Sequence, residues 1–445
     1  MSLRDDARRI AHGAIAAADP REAVRRALRV EGGALVIGAS GDEERVALDG
    51  VDHILVIGAG KAAVGMARGA HDVLGDRIAG GTVTTRDGYG GEVAGMYVWE
   101  AAHPVPDTRG LAGAADALAC ARAAGARDLV LCLLSGGASA LWPAPVRGVS
   151  LTDLRALTDA LLRAGATIRE VNTVRKHLSR IGGGWLARAA YPARVVTLVV
   201  SDVVGSPLDV IASGPTVPDP TTFADALGVL GAHELSAPPA ALRHLQAGAA
   251  GEAAETPKPG DAAFERVSAH VVAATADALR GASAEAERLG YRAEILADDM
   301  EGEAREVARA IAREAIDRRR ALVAGDAPLA LLLGGETTVT VRGRGLGGRN
   351  QELALALAVE LEGRGGIVAA ALGTDGTDGP TTAAGAIVDG ETISRGTEAG
   401  LDARDHLARN DSHPYLRATA DLLVTGPTGT NVCDVVVILL EGGES

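Results

Sequence analysis

Apolar positions along this 445-residue chain follow two rhythms. Over the first thirty residues Ala, Ile and Val recur three and four apart between Arg and Asp, the spacing of an amphipathic helix. Beyond them, short unbroken apolar runs alternate with helical stretches. Residues 53–57, 129–134 and 195–200 read as strands, and unbroken apolar strands suit a parallel sheet covered on both faces. A second series starts near Val267. It comprises a strand at 270–274, a helix reaching Arg288, a strand at 291–296, a helix over 303–319, and strands at 330–333 and 367–372. Between the two series, residues 246–262 are rich in Gly, Ala, Glu and Pro. The expected architecture is two α/β domains with an interdomain cleft. A Rossmann-like N-terminal domain with a parallel sheet covers 1–245, a linker covers 246–262, and a second, smaller α/β domain covers 263–445.

Composition narrows the functional classes. Hydrophobic residues make up 47% of the chain but aromatics only 2%, so the cores are built from Val, Leu, Ile and Ala. A net charge of −14 argues against a general nucleic-acid or anionic-membrane surface, so any anion site must be a local pocket. No apolar run approaches the roughly 20 residues that span a bilayer, and the N-terminal stretch is charged and helical rather than signal-like. Three cysteines without metal-ligand spacing, and ten histidines without a zinc pattern, point to a reduced, cytoplasmic protein.

Lysine is almost absent: Lys61, Lys176 and Lys258 stand against forty-one arginines. Lys258 lies in a Pro- and Gly-rich turn. Lys61 and Lys176 sit in Gly-rich or strongly patterned segments, where a slim, tunable point charge can enter a crowded phosphate or acid site.

Ligands of open α/β sheets bind at the carboxyl ends of strands, beside helix N-termini. Four groups of loops there are unusual. The turn Gly58-Ala59-Gly60-Lys61 precedes a helix and fits a G-x-G-x-x-A pattern, a weak dinucleotide signal in which Lys61 is out of place. Arg86, ending the next strand, keeps an NADP reading open. Ser135-Gly136-Gly137-Ala138-Ser139 offers consecutive backbone N–H groups as an anion nest. Asp202 ends the strand at 195–200, shortly before Ser213-Gly214-Pro215-Thr216. In the C-terminal half come Gly334-Gly335-Glu336, then Arg349, Asn350 and Gln351 opening a helix. Asp375 and Asp378 follow in a Gly-rich loop whose oxygens suit Mg²⁺ with bound phosphate. Thr428, Gly429, Thr430 and Asn431 add hydroxyls and backbone donors.

Taken jointly, VIGAGKA from Val56, LLSGGASAL from Leu133, VRKHLSRI from Val174 and SDVVGSPLDVIASGPTVPDPTTF from Ser201 resemble the glycerate 2-kinase family. So do LLLGGETTV from Leu331, GRNQELALA from Gly348, GTDGTDGP from Gly373, and the segment from Asn410 through TGPTGTNV. These are two-domain kinases with a MOFRL C-terminal domain, sometimes called hydroxypyruvate reductases. Ala138 stands where a third glycine is usual, Gly182 replaces a common lysine, and Cys433 replaces a polar residue. The resemblance implies ATP-dependent phosphorylation of D-glycerate at its C2 hydroxyl.

Under this reading Lys61 neutralises the transferred phosphoryl and Asp202 orients or deprotonates the hydroxyl. Gly58, Gly60, Ser135, Gly136, Gly137, Ser139 and the Thr428–Asn431 loop hold nucleotide phosphates. Arg349, with Asn350 and Lys176, binds the substrate and clamps its carboxylate, while Asp375 or Asp378 holds Mg²⁺. The implied ligands are ATP, Mg²⁺ and glycerate, with a homo-oligomer left open. The competing reading is an NAD(P)H-dependent hydroxypyruvate reductase.

Overall fold

The computed structural model describes residues 2–38, 43–323 and 325–442. Two compact units emerge, Pro20–Val272 and a second made of Met1–Asp19 together with Ala273–Ser445. The expected boundary at 246–262 therefore differs from the observed one. That stretch is tied into the Pro20–Val272 unit: Glu255 accepts from the Phe223 N–H at 3.1 Å, and Thr256 Oγ1 donates to Asp219 at 3.1 Å.

The N-terminal helical rhythm is broken in two. Ser2 and Asp5 form a capping box for the helix Leu3–Ala17, and a second helix, Pro20–Ala27, starts at the proline. The first helix belongs to the C-terminal unit, where Arg4 meets Asp389 at 2.5 Å and Asp421 at 2.7 Å.

The Pro20–Val272 unit is built on a six-stranded sheet. Its order is Met96–Ala101, Ile78–Arg86, Ile54–Ala59, Leu129–Ser135, Arg194–Val200 and Val267–Ala273. The first four pairings are all parallel. Leu129–Ser135 is buried at every position, as its unbroken apolar run requires. From Ile54–Ala59 the chain moves outward through 78–86 and 96–101, then returns to build the opposite half from 129 onward. The switch point thus lies between Ile54–Ala59 and Leu129–Ser135, where such sheets bind ligands. Val267–Ala273, expected to open the second domain, is instead the edge strand of this first sheet. A small antiparallel sheet over Leu28–Ala47 and helices with Ser150–Asp153, Thr167–Glu170 and Thr222–Asp225 capping boxes complete the unit.

The other unit carries a mixed six-stranded sheet. Its order is Arg292–Glu303, Leu329–Thr338, Asp434–Leu440, Ile367–Gly373, Gly385–Asp389 and Leu422–Leu423. Only the first pair is parallel. Helices Ala304–Ala321 and Arg349–Glu360 pack on it, with Leu353, Leu355 and Leu357 fully buried. No described helix is long and apolar enough to cross a membrane.

Candidate active site

Lys61 sits on the turn that leaves the central strand Ile54–Ala59. Its neighbours are stitched to the adjacent strand end: the Lys61 N–H donates to Gly136 O at 2.9 Å, and the Ala62 N–H to Ser135 Oγ at 3.0 Å. Gly60 has φ +131°, and a Cβ there would fall 2.0 Å from Ser135 Oγ. The glycine is what lets the two loops approach so closely. A Cβ on Gly137 would lie 3.6 Å from Lys61 Cγ and 3.0 Å from the His103 ring. The structure thus brings Gly58, Gly60, Lys61 and Ser135–Ser139 together at the switch point.

Behind the nest stands a chain of polar side chains. Ser139 Oγ lies 2.8 Å from Ser213 Oγ, which donates to Asn172 Oδ1 at 3.1 Å, while Asn172 Nδ2 donates to Val210 O. Ser213 is buried and holds φ +60°, a left-handed conformation that a serine adopts only under constraint. Asp202 follows the neighbouring strand Arg194–Val200, half-buried. Asn172 carries no isolated motif signal. Its helix position becomes meaningful only once Ser213 is seen beside it.

Lys176, expected to contact substrate, has another task. It is 3% exposed, with Nζ 3.3 Å from Asp219 Oδ1 and 3.7 Å from Asp209 Oδ2. Asp219 is itself fully buried and also accepts from Thr221 and Thr256. Burial works to raise its pKa, but Lys176 and these hydrogen bonds outweigh it and hold the carboxyl below its ordinary value. The pair is a structural post under the site.

The C-terminal unit gathers its own polar cluster. Arg349 opens the helix Arg349–Glu360 and forms a bidentate pair with Asp434, Nε–Oδ2 2.5 Å and Nη2–Oδ1 2.9 Å. Its Nη1 also meets Glu336. Burial works against the Arg349 charge, yet Asp434 and Glu336 more than compensate and raise its pKa. The guanidinium fork expected to clamp a substrate carboxylate is thus filled by the protein's own carboxylate. Asp434, the start of the strand Asp434–Leu440, is a residue the sequence reading missed.

Asp378 does not fit the metal role. Its carboxylate accepts from the backbone N–H groups of Asn350 at 3.1 Å and Gln351 at 2.8 Å, and from Gln351 Nε2 at 3.0 Å. It lies against a helix N-terminus whose dipole favours anions and opposes a cation. Burial pushes its pKa up to about 6. Asn350, expected to bind substrate, is 1% exposed and turns Nδ2 to Asp378. Asp375 Oδ1 accepts from the backbone and side chain of Thr377, both at 3.0 Å. Among the described residues no cluster of three or more His, Cys, Asp or Glu is placed to hold a metal ion. In the Thr428–Asn431 loop, Thr428 Oγ1 donates to Thr374 O and Thr430 Oγ1 to Ala18 O, both at 2.6 Å. Those two hydroxyls serve the fold.

Comparison with known proteins covers nearly the whole chain. A family described as a domain of unknown function, DUF4147, matches residues 6–246, and the MOFRL family matches residues 329–434. The D-glycerate 2-kinase of Thermotoga maritima is 43% identical over 394 residues, covering 88% of this chain and 91% of its own. An Agrobacterium vitis protein named putative hydroxypyruvate reductase is 43% identical over 444 residues, covering 99% of this chain and 95% of its own. The crystal structure of glycerate kinase from T. maritima matches with TM-score 0.84 at 40% identity, covering 99% of this chain and 100% of that one.

Proposed function

The chain belongs to the glycerate kinase family that joins a DUF4147 region to a MOFRL region, and on that premise we propose that it transfers the γ-phosphoryl of ATP to the C2 hydroxyl of D-glycerate, giving 2-phosphoglycerate and ADP. The observation that carries the reading is the Lys61 turn bonded into the Ser135–Ser139 nest at the switch point of a parallel sheet.

Phosphoryl transfer asks a protein for positioning and charge neutralisation rather than covalent help. Backbone N–H groups along Gly136–Ser139 hold the nucleotide phosphates, whereas the Gly60 N–H is given to Thr84 O and Gly58 lies within the doubly paired central strand, so these glycines serve the close approach of the loops instead. Lys61 neutralises the charge that spreads over the phosphoryl oxygens in flight. Asp202, leaving the neighbouring strand, orients the glycerate hydroxyl and accepts its proton. In the C-terminal unit Arg349 fixes Asp434 and Glu336, and Asp378, which caps the helix behind it, carries no metal-dependent step. Magnesium enters with ATP. In the Thr428–Asn431 loop the Thr428 N–H points to Asp375 O and the Thr430 N–H to Thr428 Oγ1, so this loop is assigned no phosphate contact.

Phosphorus NMR of the protein with D-glycerate and Mg-ATP tests this. A 2-phosphoglycerate signal that needs the protein supports it. A 3-phosphoglycerate signal keeps the kinase and overturns the C2 assignment, and no phosphorylated product overturns both. In that last case NADPH oxidation with hydroxypyruvate is the next assay.

A further inference from the structure

With Arg349 occupied, the acceptor's carboxylate needs another cation. The helix Ile168–His177 ends in three basic residues, Arg175, Lys176 and His177. Two are matched by acids: Lys176 faces Asp219 and Asp209, and His177 Nε2 lies 2.9 Å from Glu255 Oε1. Arg175 differs. Its half-buried guanidinium makes no hydrogen bond or ion pair with any described residue. Burial alone pushes its pKa below the ordinary value, and guanidinium remains charged regardless. A cation drawn out of water without a counter-charge is costly, and the cost is relieved when an anion docks against it.

Its place in the fold says which anion. Arg175 lies three residues after Asn172 on the helix Ile168–His177, so the two share one side of it, and Ser179 follows just past the helix end. Asn172 is bonded to Ser213, and Ser213 to Ser139 of the nest. Ser179 Oγ lies 3.6 Å from where a Gly182 Cβ would be, and that point is 3.2 Å from Ser213 O. Arg175 therefore borders the polar corner behind the phosphate nest.

We propose that Arg175 receives the carboxylate of the acceptor and so makes the protein select a small hydroxy acid over a neutral polyol. The proposal rests on the kinase reading for the identity of the acceptor. A planar fork pairs with carboxylate through two parallel hydrogen bonds, whereas Lys61 and the nest suffice for phosphate.

Arg175→Gln is expected to raise the KM for D-glycerate by about 10- to 100-fold, the scale of a lost charge-assisted pair. The KM for ATP should stay unchanged, and the preference for glycerate over glycerol should fall by the same factor. Arg175→Lys should restore part of the loss. A raised KM for ATP with glycerate unaffected, or no change in either, overturns the proposal. Should the variants misfold, the wild-type protein still decides. D-glycerate should protect Arg175 from modification by an arginine-specific dicarbonyl, read by peptide mass spectrometry, and absence of protection overturns the proposal. Protection needs no turnover. Protection without phosphorylation would discard the kinase and keep the carboxylate receptor, and phosphorylation without protection would do the reverse.

Discussion

Arg349 and Asp434 meet fork to fork, with Nε–Oδ2 at 2.5 Å and Nη2–Oδ1 at 2.9 Å, at the point where a buried strand begins beside the start of a helix. Asp434 is 1% exposed, so its charge depends on the guanidinium. Breaking a fully buried pair costs about 3–5 kcal/mol. The Arg349 side chain is 35% exposed, and solvent screening brings the expectation for Asp434→Ala down to about 2 kcal/mol. Denaturant unfolding of the variant checks this, and an unchanged midpoint would make the pair energetically idle.

Lys61→Ala should lower kcat about 100-fold or more, the scale of removing one preorganised charge donor from a transition state. The KM for glycerate should move far less. Steady-state kinetics with saturating ATP separates the two. Turnover close to normal would take Lys61 out of the mechanism.

Gly60→Ala should cripple the site, because the new Cβ meets Ser135 Oγ at 2.0 Å and Ser135 O at 2.6 Å. The left-handed φ adds strain of about 1–3 kcal/mol. Removing the hydroxyl with a second change, Ser135→Ala, should not rescue activity, since the backbone carbonyl still blocks. Rescue by the double variant would show that the hydroxyl alone sets the spacing.

Asp378 carries a pH signature. Its folded pKa of about 6 lies above the ordinary 3.8, so the folded state holds this proton more tightly than the unfolded chain. The Asp378 contribution to stability is therefore most favourable below pH ~4 and declines as pH rises to about 6. Asp378→Asn removes that slope. The Tm difference, parent minus variant, should shrink between pH 4.5 and pH 7, and a difference that widens would mean the buried carboxylate prefers its charge. Comparing the two proteins cancels the titration of groups remote from Asp378 and leaves only its own proton and its coupling to Asp434.

What the chain discloses by itself follows physical reach. The strands 129–134 and 195–200 and the helix over 303–319 are legible because burial on both faces, or on one stripe, writes a local pattern. The Lys61 and Ser135 loops are legible because small residues must lie where backbones touch. Partner choice is not local. Arg349 looks like an open fork until Asp434, far along the chain, is seen to fill it. Val267–Ala273 has the pattern of a strand but nothing in it says which sheet it joins. The N-terminal helix splits at Pro20, and the union of Leu3–Ala17 with residues after Ala273 rests on contacts such as Arg4 with Asp421, which no periodicity encodes.

That union sets an order of events at the ribosome. Leu3–Ala17 is made before the Pro20–Val272 unit, but the strands and helices it packs against come only after Ala273. Translation at about 5–20 residues per second leaves the helix without its home for tens of seconds. Meanwhile the whole Pro20–Val272 unit is out and able to fold. The nascent chain must finish its second unit around a segment released well before it, so the Lys61 half matures early and the Arg349 half is the last to close.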